Sequence, residues 1–396
     1  MARKLKVAIV GAGIGGMTAA GALHRMGHEV VVLERAPELG EVGAGLQLGP
    51  NAVKVIEALG LDEEITRTAA EPVDMVSIKW DDATLRYRDP LKAITRERYG
   101  ARYLMAHRAD LHALLCSVVP DSAVTLGWAC SGVRQTEGSA EAVGTDGSAV
   151  EADVVIGADG IHSAVRTALF GPMPARFTNQ ICWRAQVHVD DMPRRVGPGG
   201  SVSLRPEDYV GWIGPTGHVL FYEIRPGRVL NIFAGRVSEE WAEESWAVPS
   251  SREEMIEAYE GWNEAMLEVF TKVDHVYRWG IYDRDPLTRW TEGRISLLGD
   301  AAHPMMPTLA QGAAMSMEDG YALARWLDAM PADPRAALAA YEAERLPRTG
   351  RVQLQARQQF ENNRKTPTPP PISRDWIFEH DATQPRRPEA ATAASA

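Results

Sequence analysis

Lys6-Val7-Ala8-Ile9-Val10-Gly11-Ala12-Gly13-Ile14-Gly15-Gly16-Met17 lies at the start of a chain of 396 residues. Lys6 to Val10 is a short β-branched run, Gly11 to Gly16 matches G-x-G-x-x-G, and Met17 to Met26 is an Ala-rich helical stretch ending at Gly27. His28 to Glu34 reads as a second strand, because Val30-Val31-Val32-Leu33 is apolar at every position, as in a strand covered on both faces. Strand, glycine turn, helix and strand make one βαβ unit. In that setting Gly11 permits the tight turn, Gly13 lets the backbone approach a pyrophosphate, and Gly16 lets helix and strand pack closely, with Gly15 a further cofactor-site glycine. Phosphates then meet the positive end of the helix. Glu34 follows Gly16 by 18 residues, where a carboxylate accepts hydrogen bonds from both hydroxyls of an adenosine ribose and repels a 2'-phosphate. The unit reads as a dinucleotide site that disfavours NADP, and does not by itself separate FAD from NAD.

Three further features make that separation. Asp159-Gly160 closes the buried run Val150 to Ile156, and Gly299-Asp300 closes Ile295-Ser296-Leu297-Leu298. At the carboxyl edge of the same sheet Asp300 is placed to accept hydrogen bonds from a ribitol chain, which NAD lacks. Gln311-Gly312-Ala313-Ala314 opens a helix running to about Met330, whose free N–H groups and dipole would stabilise negative charge on the pyrimidine ring of a reduced flavin.

The rest of the chain sets the frame. A length of 396 suits two interleaved domains plus a tail. A net charge of -11 argues against a nucleic-acid surface, and no apolar run is long enough to span a membrane. Three cysteines at irregular spacing make neither a disulfide framework nor a metal site, so a reducing, cytoplasmic compartment is expected. The expected fold is α/β: a Rossmann-like FAD-binding domain (1–71, 101–176 and 290–330) interleaved with a mainly antiparallel substrate domain (72–100 and 177–289). Helical sequence follows over 331–365, with Pro334 to about Arg357 as its core, and then a Pro-rich, partly disordered tail over 366–396. A Trp-rich helical stretch near Glu240 to Trp262 is a candidate partner surface, and monomer or homodimer are both open.

Gly11 to Gly16 with Glu34-Arg35-Ala36, then Gly157-Ala158-Asp159-Gly160, then Gly299-Asp300-Ala301-Ala302-His303-Pro304, resemble the three fingerprints of the single-component FAD-dependent aromatic hydroxylases. That family, with a 4-hydroxybenzoate hydroxylase-like fold, includes 3-hydroxybenzoate and salicylate hydroxylases and 6-hydroxynicotinate monooxygenase. The resemblance spans roughly residues 5 to 350. It implies FAD as cofactor, NADH or NADPH as transient reductant, O2 as co-substrate, and hydroxylation of a small aromatic ring through a flavin C4a-hydroperoxide. By motif it nominates Arg35, Arg108 (in His107-Arg108-Ala109-Asp110-Leu111), Asp159 and Asp300 for the cofactor, beside the glycines, Glu34, Gly312 and Ala313.

Substrate contacts come from several segments. Period-two alternation in Gly217-His218-Val219-Leu220-Phe221-Tyr222 puts His218, Leu220 and Tyr222 on one sheet face, where a histidine and a tyrosine would orient and deprotonate a substrate hydroxyl. The alternative is a solvent face or backbone satisfaction. Arg184 is a candidate grip for a substrate carboxylate, against a structural role between domains. Pro304 to Thr308 should pass along the oxygen-reacting side of the flavin, while His303 is expected to pack structurally, with a catalytic part as the alternative. Gln47 stands where the resembling 6-hydroxynicotinate enzymes carry a histidine, which shifts weight toward a hydroxybenzoate such as salicylate or 3-hydroxybenzoate. No W-x-W-x-I-P halogenase signature occurs, and no redox Cys pair follows the first βαβ unit. An NAD-dependent dehydrogenase leaves Asp159-Gly160 and Gly299-Asp300 without a purpose, and a non-catalytic flavin-binding module is the third alternative.

Overall fold

The computed structural model describes residues 3–40, 44–238, 248–365 and 369–385. Among them, five parallel strands form one sheet in the order Ile295–Leu297, Val154–Gly157, Lys6–Val10, Glu29–Leu33, Val124–Thr125. Val7, Ala8 and Ile9 at its centre have no exposed surface, as consecutive apolar residues require when both faces are covered. The pairing brings distant sequence together at one edge: Ala158 N donates to Val10 O at 2.7 Å, and Leu298 N to Gly157 O at 3.0 Å. The first glycine turn, the Asp159 turn and the Asp300 turn are therefore neighbours outside the carboxyl ends of three adjacent strands, where open α/β sheets bind ligands.

A second sheet has eight strands in the order Val248–Ser250, Val276–Asp283, Arg176–His188, Val229–Val237, Gly217–Arg225, Tyr209–Ile213, Met75–Lys79, Leu85–Asp89. Every neighbouring pair is antiparallel except Tyr209–Ile213 with Met75–Lys79. One face packs Trp212, Val219, Phe221 and Ile232 against Met255, Tyr259 and Phe270. The alternate residues face the first sheet, as the pleat demands.

Some elements differ from the sequence expectation, each for a local reason. The run Val150 to Ile156 is two strands: Ala149–Ala152 joins an antiparallel three-stranded sheet, and Val154–Gly157 joins the parallel one. The break is at Asp153, whose carboxylate accepts from Lys6 N and Arg3, both at 2.8 Å. The first helix, Ile14–Arg25, starts before Met17 and so contains Gly15 and Gly16. Small residues are needed there because it crosses the helix Gly312–Ala329 closely; a Cβ on Gly320 would lie 2.7 Å from Ala19 N. Leu91–Tyr99, within the stretch read as sheet, is helical.

The long helix runs Pro334–Asn363, beyond Arg357. Residues 369–385 return to the body of the protein with a short helix, Asp375–Phe378, whose Ile377 and Phe378 are buried. Residues 366–368 and 386–396 of the expected tail lie outside the described residues, as do 240–247 of the Trp-rich stretch. Trp262, at the end of that stretch, is inside the chain's own core, 4.9 Å from the Tyr259 ring and 5.7 Å from Trp80. No helix among the described residues is long and apolar enough to cross a membrane.

Candidate cofactor and substrate site

Between the two sheets lies a cavity of about 510 Å³, reached by Gly13, Arg108, Asp300 and Gly312 from one side and by His218 and Tyr222 from the other. Gly11 has φ +108°, and a Cβ there would sit 2.4 Å from Ala158 O, so only glycine makes this turn. Gly13 is the N-cap of the first helix and a Cβ on it would meet nothing within 4 Å; its open side faces the cavity. That helix has no side-chain cap and no acid in its first turn, which leaves its N–H groups and positive dipole end for an anion. The second helix aimed at the cavity, Gly312–Ala329, is uncapped and free of acids in its first turn in the same way.

The nominated acids divide. Asp300 lines the cavity, and no residue among those described hydrogen-bonds its carboxylate; burial raises its pKa, against the pull of His303 and Arg108. Asp159 turns away from the cavity. Its oxygens accept from Ser163 Oγ at 2.5 Å and Ala164 N at 2.7 Å, so it caps the helix Ala164–Phe170 and fixes the turn that presents Ala158 and Gly160. Glu34 accepts from Ala12 N at 2.8 Å and Ala36 N at 2.9 Å, which clamps the glycine turn and leaves each oxygen a further lone pair. Arg35 is exposed and off the cavity wall.

A largely buried ionic network holds the Asp300 turn from behind. Asp319 accepts from Gly299 N at 3.0 Å, meets His303 Nε2 at 2.5 Å and pairs with Arg345 Nε at 2.7 Å. Glu318 pairs with Arg345 at 2.5 Å and with Arg348 at 2.7 Å, and accepts from Asn51 at 2.7 Å. Asn51 also donates to Gln311, the residue before Gly312, at 3.0 Å. His303 packs within this network.

On the facing sheet His218, Leu220 and Tyr222 all line the cavity, while Val219 and Phe221 enter the opposite core. The His218 imidazole stacks on Phe233 at 5.4 Å, and burial pushes its pKa down to about 4. Burial pushes the Tyr222 hydroxyl up to about 12, and its ring meets Tyr209 edge-on at 5.8 Å. Gln47 joins two tyrosines, accepting from Tyr103 OH at 2.6 Å and donating to Tyr209 OH at 3.3 Å. Arg184 lies 4.5 Å over the Trp279 ring and 5.4 Å over Phe233, and donates to Gly45 O at 3.1 Å. Pro304 is buried off the cavity, its carbonyl accepting from Gln353 at 3.0 Å; Met305 and Pro307 line the wall instead.

Several wall residues had no sequence signal of their own: Trp279, and Ile372 and Arg374 beyond the proline cluster; nor had Tyr103, buried off the wall, which bonds Gln47. Tyr209 was within reach, since it shares period-two alternation with Gly211 and Ile213.

The pieces fit a flavin dinucleotide: a cradle that a Cβ on Gly13 would fill, a half-buried carboxylate that no described residue hydrogen-bonds, two uncapped helix ends and an aromatic wall. Comparison with known proteins gives the same answer. A family model described as an FAD binding domain matches residues 4–356. The chain is 41% identical over 356 residues to 3-amino-4-hydroxybenzoate 2-monooxygenase of Streptomyces cremeus, covering 90% of this chain and 86% of the relative. It is 34% identical over 384 residues to 6-hydroxynicotinate 3-monooxygenase of Bordetella bronchiseptica, covering 96% of each. Klebsiella pneumoniae HpxO complexed with FAD and uric acid superposes with a TM-score of 0.80 at 26% identity, over 91% of this chain and 89% of that one. A salicylate hydroxylase substrate complex gives 0.81 at 25% identity, over 99% and 98%.

Proposed function

This chain belongs to the FAD-binding-domain family and is an FAD-dependent aromatic monooxygenase, and from that premise we propose that its substrate is a hydroxybenzoate, a small ring bearing a hydroxyl and a carboxylate. The observation that carries the substrate reading is the cavity wall, where a neutral imidazole, a cluster of phenols and arginine guanidiniums face one space between apolar rings. The hydroxybenzoates in the names of related enzymes support it. Gln47, hydrogen-bonded to two tyrosines, weighs against a 6-hydroxynicotinate substrate.

FAD, when bound, supplies the relay of two electrons from NAD(P)H to O2 and the electrophilic oxygen that enters the ring. Gly13 and the first helix would hold its pyrophosphate, Glu34 the adenosine ribose, Asp300 the ribitol, and Gly312 and Ala313 the pyrimidine edge. His218 is neutral at working pH, so its lone pair is available to accept the proton of the substrate hydroxyl and make the ring electron-rich. A bound carboxylate nearby would raise the basicity of that imidazole. Tyr222 stays protonated and donates a hydrogen bond. Leu220, Phe233 and Trp279 keep water from the reacting atoms. A reducing, cytoplasmic setting is the expected one, supported by the few, irregularly spaced cysteines and the need for a nicotinamide reductant.

Two outcomes test this reading. Asp300→Ala is expected to raise the FAD dissociation constant roughly 10- to 150-fold, the equivalent of about 1.5–3 kcal/mol for a hydrogen bond to a charged group. Unchanged flavin content after dialysis would remove Asp300 from the site. His218→Ala is expected to lower kcat for hydroxylation about 10²- to 10⁴-fold with FAD retained. In the unsubstituted enzyme the free imidazole protonates only near pH 4, so its acid limb in kcat/KM should lie below about pH 5. Undiminished turnover by the variant would exclude the role.

A further inference from the structure

The segment after the proline cluster is a fixed wall of the cavity. Asp375 accepts from Tyr99 OH at 2.6 Å and pairs with Arg98 at 2.9 Å. Ile372 N donates to Gln359 at 2.8 Å, Arg348 donates to the carbonyl of Ile377 at 2.9 Å, and Lys54 to that of Phe378 at 3.0 Å. With Ile377 and Phe378 buried, this chain is held at both ends of the stretch it presents to the cavity.

Arg374 is the cation that this wall contributes. Its guanidinium lies 5.3 Å over the Phe378 ring and beside the Tyr103 hydroxyl, the group that connects through Gln47 to Tyr209. Among the described residues no carboxylate pairs with it, and the adjacent Asp375 is engaged by Arg98 and Tyr99. Arg184, another arginine lining the cavity, is instead stacked on Trp279 and Phe233 and tied to the Gly45 carbonyl.

We propose that Arg374 receives the carboxylate of the substrate, so that the C-terminal segment selects acids over neutral phenols, while Arg184 braces the aromatic wall. A guanidinium whose donors are not taken by a resident carboxylate keeps the planar fork that matches one. The inference rests on the hydroxybenzoate reading above.

The test titrates the FAD-loaded enzyme with salicylate, 3-hydroxybenzoate, 4-hydroxybenzoate and 3-amino-4-hydroxybenzoate, and with the carboxamide of each, following perturbation of the flavin absorption bands. The unsubstituted enzyme should bind at least one acid roughly 10- to 150-fold more tightly than its amide. Arg374→Gln should abolish that preference by weakening the acid alone, with flavin content and thermal midpoint unchanged. Arg374→Lys, which keeps the charge, should restore part of it, and Arg184→Gln should preserve the ratio. An acid-to-amide ratio unchanged in Arg374→Gln, or abolished only in Arg184→Gln, overturns the assignment. If Arg374→Gln loses FAD, the Lys variant decides, and tight binding of acid and amide alike by it also overturns the assignment. An unsubstituted enzyme that binds none of the acids, or prefers none to its amide, refutes the hydroxybenzoate reading itself.

Discussion

Gly16→Ala should yield a protein that neither retains FAD nor keeps the thermal midpoint of the unsubstituted chain. A Cβ on Gly16 would stand 2.0 Å from Gly11 O and 3.4 Å from the Ala158 side chain. The obstacle is backbone oxygen in the cofactor turn, which no rotamer change can move aside. Nor can the helix withdraw freely, because on its other side the Ala19 amide is within 2.7 Å of where a Gly320 Cβ would be. Overpacking of this kind costs about 1–3 kcal/mol or more, and any relief separates Gly13 from the phosphate position. Gly13→Ala is the matched control. Its Cβ meets nothing within 4 Å, so the apoprotein should unfold like the unsubstituted one while FAD binding falls, since the methyl takes the space the pyrophosphate needs. Flavin-to-protein absorbance after desalting, with thermal unfolding of both apoproteins, separates the two effects. Gly16→Ala with a full complement of FAD would show that helix and turn yield more easily than their packing implies.

That contrast shows why half of the site could be read from the sequence. The glycines act through backbone geometry, and their spacing is local, so Gly11, Gly13 and Gly16 announce themselves in one βαβ unit. Asp300 is legible for the same reason, being a strand-end residue of a parallel sheet. The His218 face follows from the pleat alone. Asp159 shows the limit: the motif locates the turn, yet whether its carboxylate meets a ligand or caps its own helix depends on the Ser163 hydroxyl and two amides a few residues on. Trp279 and Arg374 reach the cavity, and Tyr103 reaches Gln47 on its wall, through long-range packing that has no period. Prolines rightly signal a break in regular structure, but they carry no information on whether the chain beyond returns. Here Trp376 beneath Arg351 at 3.9 Å and Phe378 against Tyr99 at 5.4 Å bring it back.

The ionic network behind the Asp300 turn should be the most sensitive place to remove a charge. Arg345 has no exposed side-chain surface, and neither have its partners Glu318 and Asp319. Burial raises the pKa of each acid, but for Glu318 the guanidiniums of Arg348 and Arg345 more than reverse this, as His303 and Arg345 do for Asp319; both end below the usual carboxylate range. Carboxylates depressed in the folded state contribute stability that is fully present above their unfolded values, about pH 4, and lost as pH falls through the folded ones. Arg345→Met should therefore destabilise by about 3–5 kcal/mol at pH 7, because two buried acids lose a shared cation. The midpoint should drop by roughly 4–6 °C. Because the variant has less charge pairing left to lose, its deficit should narrow on acidification below about pH 4. A deficit equal at pH 7 and pH 3.5 would mean that Arg345 acts by volume alone. The same acids hold Gly299 N and, through Asn51, Gln311, so the variant should also bind FAD more weakly than its fold stability predicts. Full flavin affinity in a destabilised Arg345→Met would separate the network from the cofactor site and leave it a purely structural element.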